Sequence, residues 1–124
     1  SITSNGLTFI RPPRNTEFTC SGSTIDSYTG LRYCNINHAD SLVYCDNLEG
    51  NYRMPTEAEL QSNLLPLFID DTILTIYQWP TDKPYWSITP GSVADRFRVL
   101  RFTPSIGLIN WNPIQNIRVA CVRP

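Results

Sequence analysis

Apolar and polar positions change their rhythm near residue 70, and the change predicts two kinds of element. Before it, Ala39, Leu42, Cys45 and Leu48 recur near helical spacing. Asn37 stands where an N-cap is needed and Gly50 lies just past the end, so a first helix is predicted from residue 38 to about residue 48. Thr56-Glu57-Ala58-Glu59 reads as a capping box, in which the Thr56 hydroxyl accepts the Glu59 amide and the Glu59 carboxylate accepts the Thr56 amide. A second helix starts there. Leu60, Leu64 and Leu65 give it an apolar stripe, and Pro66 is expected to stop it within about a turn, because the ring clashes with the preceding carbonyl.

After residue 70 the β-type runs dominate, at 72–78, 86–89, 97–102, 107–111 and 117–122. Alternation is clearest in the last, where Ile117, Val119 and Cys121 share one face and Arg118, Ala120 and Val122 the other. An opening strand is expected at 7–10, ended by Pro12 and Pro13, which offer no amide hydrogen to a ladder. Residues 19–32 are rich in Ser, Gly and Thr, with turn formers at Gly22, Asp26 and Gly30, and such a stretch is loose unless something outside it holds it. Pro80, Pro84, Pro90, Pro104 and Pro113 stiffen the later loops. Helices first and strands afterwards describe an α+β fold.

A chain of 124 residues suits one domain, here residues 1–124, with a strand and closed loop over 1–36 and the core over 37–124. Apolar residues make up 41% and charged residues 17%, the composition of a packed globule rather than a disordered tail. Formal net charge is -1, and the basic residues are scattered apart from modest clusters at 96–101 and 118–123. That balance argues against a nucleic-acid partner, whose phosphates call for a basic face. Apolar stretches fall far short of the roughly 20 residues a bilayer span needs, so no membrane insertion is expected. Residues 1–10 lack a basic segment followed by an apolar core, and a secretory leader is expected either to have been removed or to lie outside this stretch.

Four cysteines, no C-x-x-C spacing and a single histidine favour two disulfides over zinc, and with them an oxidising compartment. Three connectivities are open. The layout favours Cys20 with Cys34, closing the glycine-rich loop, and Cys45 with Cys121, tying the first helix to the last strand.

In order along the chain stand a cysteine in the first helix (Cys45), the Arg53-Met54-Pro55-Thr56 turn running on to Glu59-Leu60, Tyr85-Trp86-Ser87, and the terminal Val119-Ala120-Cys121-Val122-Arg123. This combination, covering about two thirds of the chain, resembles bacterial C-type-lectin-like domains. Within them it is most similar to the terminal domain of intimin and invasin family adhesins. The resemblance implies a C-type-lectin-like fold with two helices on small antiparallel sheets, a long loop region between Asp70 and Asn116, and a disulfide from first helix to last strand. It also implies display at the tip of an outer-membrane protein. The sequence departs from sugar-binding animal C-type lectins: their Glu-Pro-Asn or Gln-Pro-Asp loop is missing, Trp111-Asn112-Pro113 lacks the aspartate of their last strand, and no cysteine lies between Cys45 and Cys121. Without those converging oxygens a calcium-dependent sugar site is not expected.

Catalytic constellations are absent from the pattern. His38 at a helix start reads as a solvated or capping residue, Asp70 and Asp71 as a solvated turn, and Glu57 and Glu59 as capping and dipole partners. No Ser, His and Asp arrangement, phosphate-cradling glycine loop or nucleophile elbow stands out, so neither an enzyme nor a cofactor is expected. Residues 77–85 instead pack aromatics, prolines and two opposite charges into an expected surface loop. With Tyr77 and Trp86 assigned to the core, Trp79, Asp82, Lys83 and Tyr85 are the candidate contact residues. Arg96 and Arg98 share a strand face near Asp95, with Arg101 opposite, and Asn110 and Asn112 flank Trp111 where the loop region returns; these join the candidate surface. The expectation is an extracellular adhesin tip domain on a bacterial surface. Its partner would be a host cell-surface or secreted protein, a receptor or an immunoglobulin-like glycoprotein. The alternatives are a metal-independent lectin using Trp79 and Tyr85 against glycan, and a structural cap for a stalk.

Overall fold

The computed structural model describes every residue from Ser1 to Pro124 and opens with a hairpin, β1 (Ile2–Ser4) and β2 (Leu7–Phe9). Asn5 and Gly6 both take positive φ, 52° and 77°, as a two-residue turn matched to strand twist requires. β1 lies outside the opening strand expected at 7–10, although the Asn-Gly pair that makes it is visible in the sequence. A second hairpin, β3 (Gly22–Ile25) and β4 (Arg32–Asn35), organises the region that reads as loose turns, with Ser23 opposite Cys34.

Asn37 caps α1 (His38–Asp46), its side chain accepting the Asp40 amide at 2.8 Å. The capping box forms: Thr56 Oγ1 accepts the Glu59 amide at 3.1 Å, and Glu59 Oε1 accepts the Thr56 amide at 2.9 Å. It starts α2 (Glu57–Asn63). Pro66 does not close the helical region. It sits in the first turn of α3 (Leu65–Ile69), where the missing amide hydrogen costs nothing, and the chain continues.

The strand expected at 72–78 is instead a short helix, α4 (Thr72–Thr75). Asp71 adopts a left-handed φ of 65°, and the Asp70 carboxylate accepts both the amide and the hydroxyl of Thr72. This local turn outweighs the β preference of the branched residues that follow. Ile73 and Leu74, adjacent in sequence, are both buried, which a two-residue alternation does not allow.

β5 (Tyr85–Pro90), β6 (Phe97–Arg101) and β7 (Gly107–Trp111) then form an antiparallel sheet with β6 in the middle. β8 (Val122–Arg123) completes the first sheet beside β2, in the order β1-β2-β8. Of the strand expected at 117–122 only its end joins a ladder, because its partners change along its length. Ile117 pairs with Ile36, Arg118 with Tyr85, and Val122 with both Arg53 and Phe9. The alternation itself holds. Ile117, Val119 and Cys121 enter one buried cluster with Met54, Trp86 and Val99. Ala120 and Val122 enter the other with Phe9, Leu60, Phe68 and Leu100. The terminal segment is therefore a wall shared by two cores, apolar on both faces except at Arg118.

Both favoured disulfides are present, Cys20–Cys34 and Cys45–Cys121, within the α+β architecture expected. They close sequence separations of 14 and 76 residues. On the chain-entropy account these loops are worth about 3 and about 4.5 kcal/mol. The C45A/C121A double variant should therefore lose more stability than C20A/C34A in urea denaturation, and more again from the packing of two sulfurs that have no solvent exposure.

His38 is not solvated. It is 3% exposed, stacks on Phe97 with ring centroids 3.5 Å apart, meets Trp86 edge-on, and bonds the Ser87 carbonyl through Nε2 at 2.9 Å. Burial holds its pKa below the ordinary 6.5, against the weaker upward pull of the Ser87 bond. With the folded pKa depressed, the unfolded chain takes the proton first. Stability is full above about pH 6.5 and falls as pH drops from there through the folded pKa. The urea midpoint should decline between about pH 7 and about pH 5, and that decline should flatten in H38Q, since the Glu17 and Glu59 carboxyls are held low by Arg11 and Arg53 and titrate only under more acid conditions.

Candidate binding surface

Between α4 and β5 a single left-handed residue decides which aromatics reach solvent. Ile76 and Tyr77 remain outside, at 68% and 39% exposure. Gln78 then adopts a left-handed φ of 57°, which sends the next side chain inward. Trp79 is consequently core, 2% exposed, its amide held by the Ile73 carbonyl at 3.0 Å and its ring stacked parallel to Tyr85 at 6.4 Å. Tyr85 is fully buried and donates its hydroxyl to the Pro80 carbonyl; burial pushes its phenol pKa well up.

The surface placement expected for Trp79 and Tyr85 is thus corrected, and so is the core placement expected for Tyr77. Large rings gain most from burial, and the left-handed residue supplies the turn that reaches it. Trp86, expected in the core, is there, its indole N–H donating to the Ile36 carbonyl at 2.8 Å.

Asp82 is half-buried and occupied. Both its oxygens accept from one amino group of Arg118, at 2.9 and 3.0 Å, and Arg118 has no solvent exposure. The other amino group of Arg118 donates to the carbonyls of Tyr33 and Cys34 and to Asn35 Oδ1, at 2.7 to 3.0 Å. Asp26, also buried, accepts the Thr29 amide at 2.8 Å and reaches across to the Thr81 amide at 3.2 Å. The tip of the β3–β4 hairpin and the 76–84 segment are therefore fastened together. Tyr28, Ile25 and Leu31 stand exposed on the hairpin side of that fastening, at 58%, 55% and 37%.

Arg98 and Asn110 form a clasp. The Arg98 guanidinium pairs with Glu57, donates to Asn110 Oδ1 at 3.0 Å and to the Leu108 carbonyl at 3.1 Å. Asn110 also holds the β5–β6 loop through the Ser92 amide and hydroxyl. Gly91 makes this closure possible, since a Cβ there would lie 2.8 Å from both Arg96 Cβ and Asn110 Oδ1. Arg96 is half-buried and donates to the Asp95 carbonyl, while Asn112 receives the Ile114 amide. Lys83 lies by an open cleft of about 500 Å³ that it lines with Asp82, Pro84, Thr103, Trp111, Gln115, Asn116 and Ile117. A depression of similar volume runs between α1 and the first disulfide, lined by Phe18, Tyr44 and Leu48 with Glu17 and Asp40 at its edge. Nowhere do three His, Cys, Asp or Glu side chains converge as a metal would need, and no helix is long and apolar enough to cross a membrane.

The InvE_AD family, an adhesion domain, matches residues 1–121. The chain belongs to this family. The adhesion domain also superposes on the structure of Yersinia pseudotuberculosis adhesin InvE with a TM-score of 0.74 at 19% sequence identity, over 96% of this chain and 33% of that one. It spans about one third of that adhesin's length. No curated protein sequence matches it. The resemblance to intimin and invasin tip domains is borne out at the level of family and fold, and a role in cell adhesion follows from the family. On the adhesion domain's surface and frame, sequence reasoning passes over Tyr28, assigns Tyr77 to the core and reads Arg118 as one position of an alternating strand. The first stood in a turn-rich stretch, the second in a misread strand, and the third in an alternation that gives no hint of charge burial.

Because Arg118 is sealed from water, cutting the pair should leave a buried charge or several buried carbonyls without a partner. D82A and R118M are each expected to cost about 3 kcal/mol or more in urea denaturation, and the double variant less than the sum of the two.

Proposed function

We propose that this adhesion domain is displayed outside a bacterial cell and docks on a host surface protein through the hairpin tip and the 76–84 segment. The observation that supports it is the pair of exposed tyrosines, Tyr28 and Tyr77, on the two sides of the Asp26–Thr81 fastening, accompanied by Ile25 and Ile76. Tyrosine brings large contact area with few rotors, and a backbone already tied in place loses little freedom on docking. Exposed apolar side chains grouped in this way mark interaction surfaces more often than chance exposure does. Lys83, Arg96 and Asn112, half-buried, furnish a polar rim, while Asp82, Arg98 and Asn110 act through the positions they hold rather than by direct contact.

The reading assigns no catalytic step. The sole histidine is stacked in the core, and Glu57, Glu59 and Asp82 are each engaged by an arginine.

Y28A and Y77A should each weaken attachment of the purified domain to host cells by about 2 kcal/mol, read as a 30-fold rise in apparent Kd or thereabouts, with the melting temperature unchanged. W79A should do the reverse, lowering stability by about 3 kcal/mol with attachment preserved wherever the variant remains folded. Undiminished attachment by the Y28A/Y77A double variant would remove this surface from consideration.

A further inference from the structure

We propose that the cleft between residues 82–84 and residues 111–117 is a binding site for a saccharide that carries a carboxylate. This goes beyond the protein contact argued above and does not depend on it.

Charge decides the sign of the ligand. Asp82 gives both its oxygens to Arg118, which compensates its charge from the buried side. Lys83, the only lysine in the chain, forms no ion pair and leaves one positive charge there, in a molecule whose formal net charge is -1. A short-range cation beside a low-dielectric wall attracts an anion far better than the same group in open water.

The remaining lining decides the class. Trp111 forms an indole wall, and its Nε1–H is buried with no partner in the protein. That donor has no accessible surface, so the cleft offers a ligand the ring and not the N–H. The exposed side-chain amides of Gln115 and Asn116 make no bond within the protein, and each offers donors and an acceptor on one plane; the Thr103 hydroxyl does both through one atom. A pyranose presents the counterpart of this set: neighbouring hydroxyls that donate and accept together, and an apolar C–H face for an aromatic ring. An acidic peptide satisfies Lys83 and matches the two amides with its backbone groups, but it lacks the apolar C–H face that a pyranose lays on an indole. The volume of about 500 Å³ lies in the range of small-ligand sites and accommodates one or two sugar rings.

The walls are also fixed in advance. The Pro84 carbonyl accepts the Arg118 amide at 3.0 Å, and the Gln115 amide donates to the Asn112 carbonyl at 3.1 Å. Little ordering is left for binding to supply.

The test is nitrogen-15 NMR of the three indole N–H groups of the folded chain. The probes are the methyl glycosides of N-acetylneuraminic acid, glucuronic acid and galactose, and a glutamate-rich peptide. At least one acidic sugar should shift the Trp111 resonance and leave the core Trp79 and Trp86 signals in place, saturating below about 10 mM. The acidic sugar that binds more tightly identifies a sialic or a uronic source. K83Q should weaken that binding at least 10-fold or so, with the rest of the spectrum unchanged, while K83R retains most of it and Y28A/Y77A all of it. Equal binding of galactose, a response to the peptide alone, or no shift of Trp111 with any sugar would each overturn the proposal.

Discussion

Arg118 carries a permanent charge into a position without solvent access, and the structure around it is arranged to make that tolerable. A guanidinium keeps its proton under all ordinary conditions, so it cannot escape burial by neutralising itself as a lysine can. Its amino groups are met by the Tyr33 and Cys34 carbonyls, Asn35, Thr24 and Asp82, and its guanidinium carbon lies 5.6 Å from the centre of the Tyr33 ring. These partners come from the β3–β4 hairpin and the 81–84 turn, parts of the chain between 36 and 94 residues away from it. Such a centre adds little net stability, because desolvating the charge offsets most of what its partners return. Its consequence is positional. The hairpin and the turn have one arrangement in which both amino groups are met, while the buried Nε–H stays without a partner.

The two disulfides act on the same frame from outside it. Cys34 belongs to β4, beside the carbonyls that Arg118 holds, and Cys45–Cys121 anchors α1 to the segment from which Arg118 projects. Apart from Arg118, the terminal segment can therefore be apolar on both faces and still keep its register, although it forms no continuous ladder. Covalent anchoring and the buried charge replace the hydrogen-bond periodicity that sets register in an ordinary strand.

How far the sequence discloses this depends on the range of the forces involved. Helix starts were legible because caps are local: Asn37 and Thr56 meet partners three residues on. β6 and β7 were legible from β-type runs. The family was legible too, from an ordered set of short motifs. Misreadings arose where one backbone torsion or one distant contact prevailed. At Asp71 a left-handed residue turned a β-rich run into a helix, and at Gln78 another carried Trp79 inward. Composition assigns both stretches to the opposite environment, since an aromatic in a proline-rich loop looks the same whether the loop folds in or out. The fate of Asp82 was equally hidden, because its partner lies 36 residues further on, in what reads as an ordinary alternating strand.

The same torsion accounts for the separation of roles along the 76–85 segment. Had Gln78 been extended, Tyr77 and Trp79 would compete for the same side of the chain, and either the core would lose its stacked Trp79–Tyr85 pair or the surface would lose its exposed tyrosine. With the reversal in place, ten residues supply an outward Tyr77, an inward Trp79, a charge for Arg118 at Asp82 and an unpaired cation at Lys83. Rigid support and exposed chemistry thus come from different residues of one loop. The inward residues fix the loop and the outward ones are held in place by it.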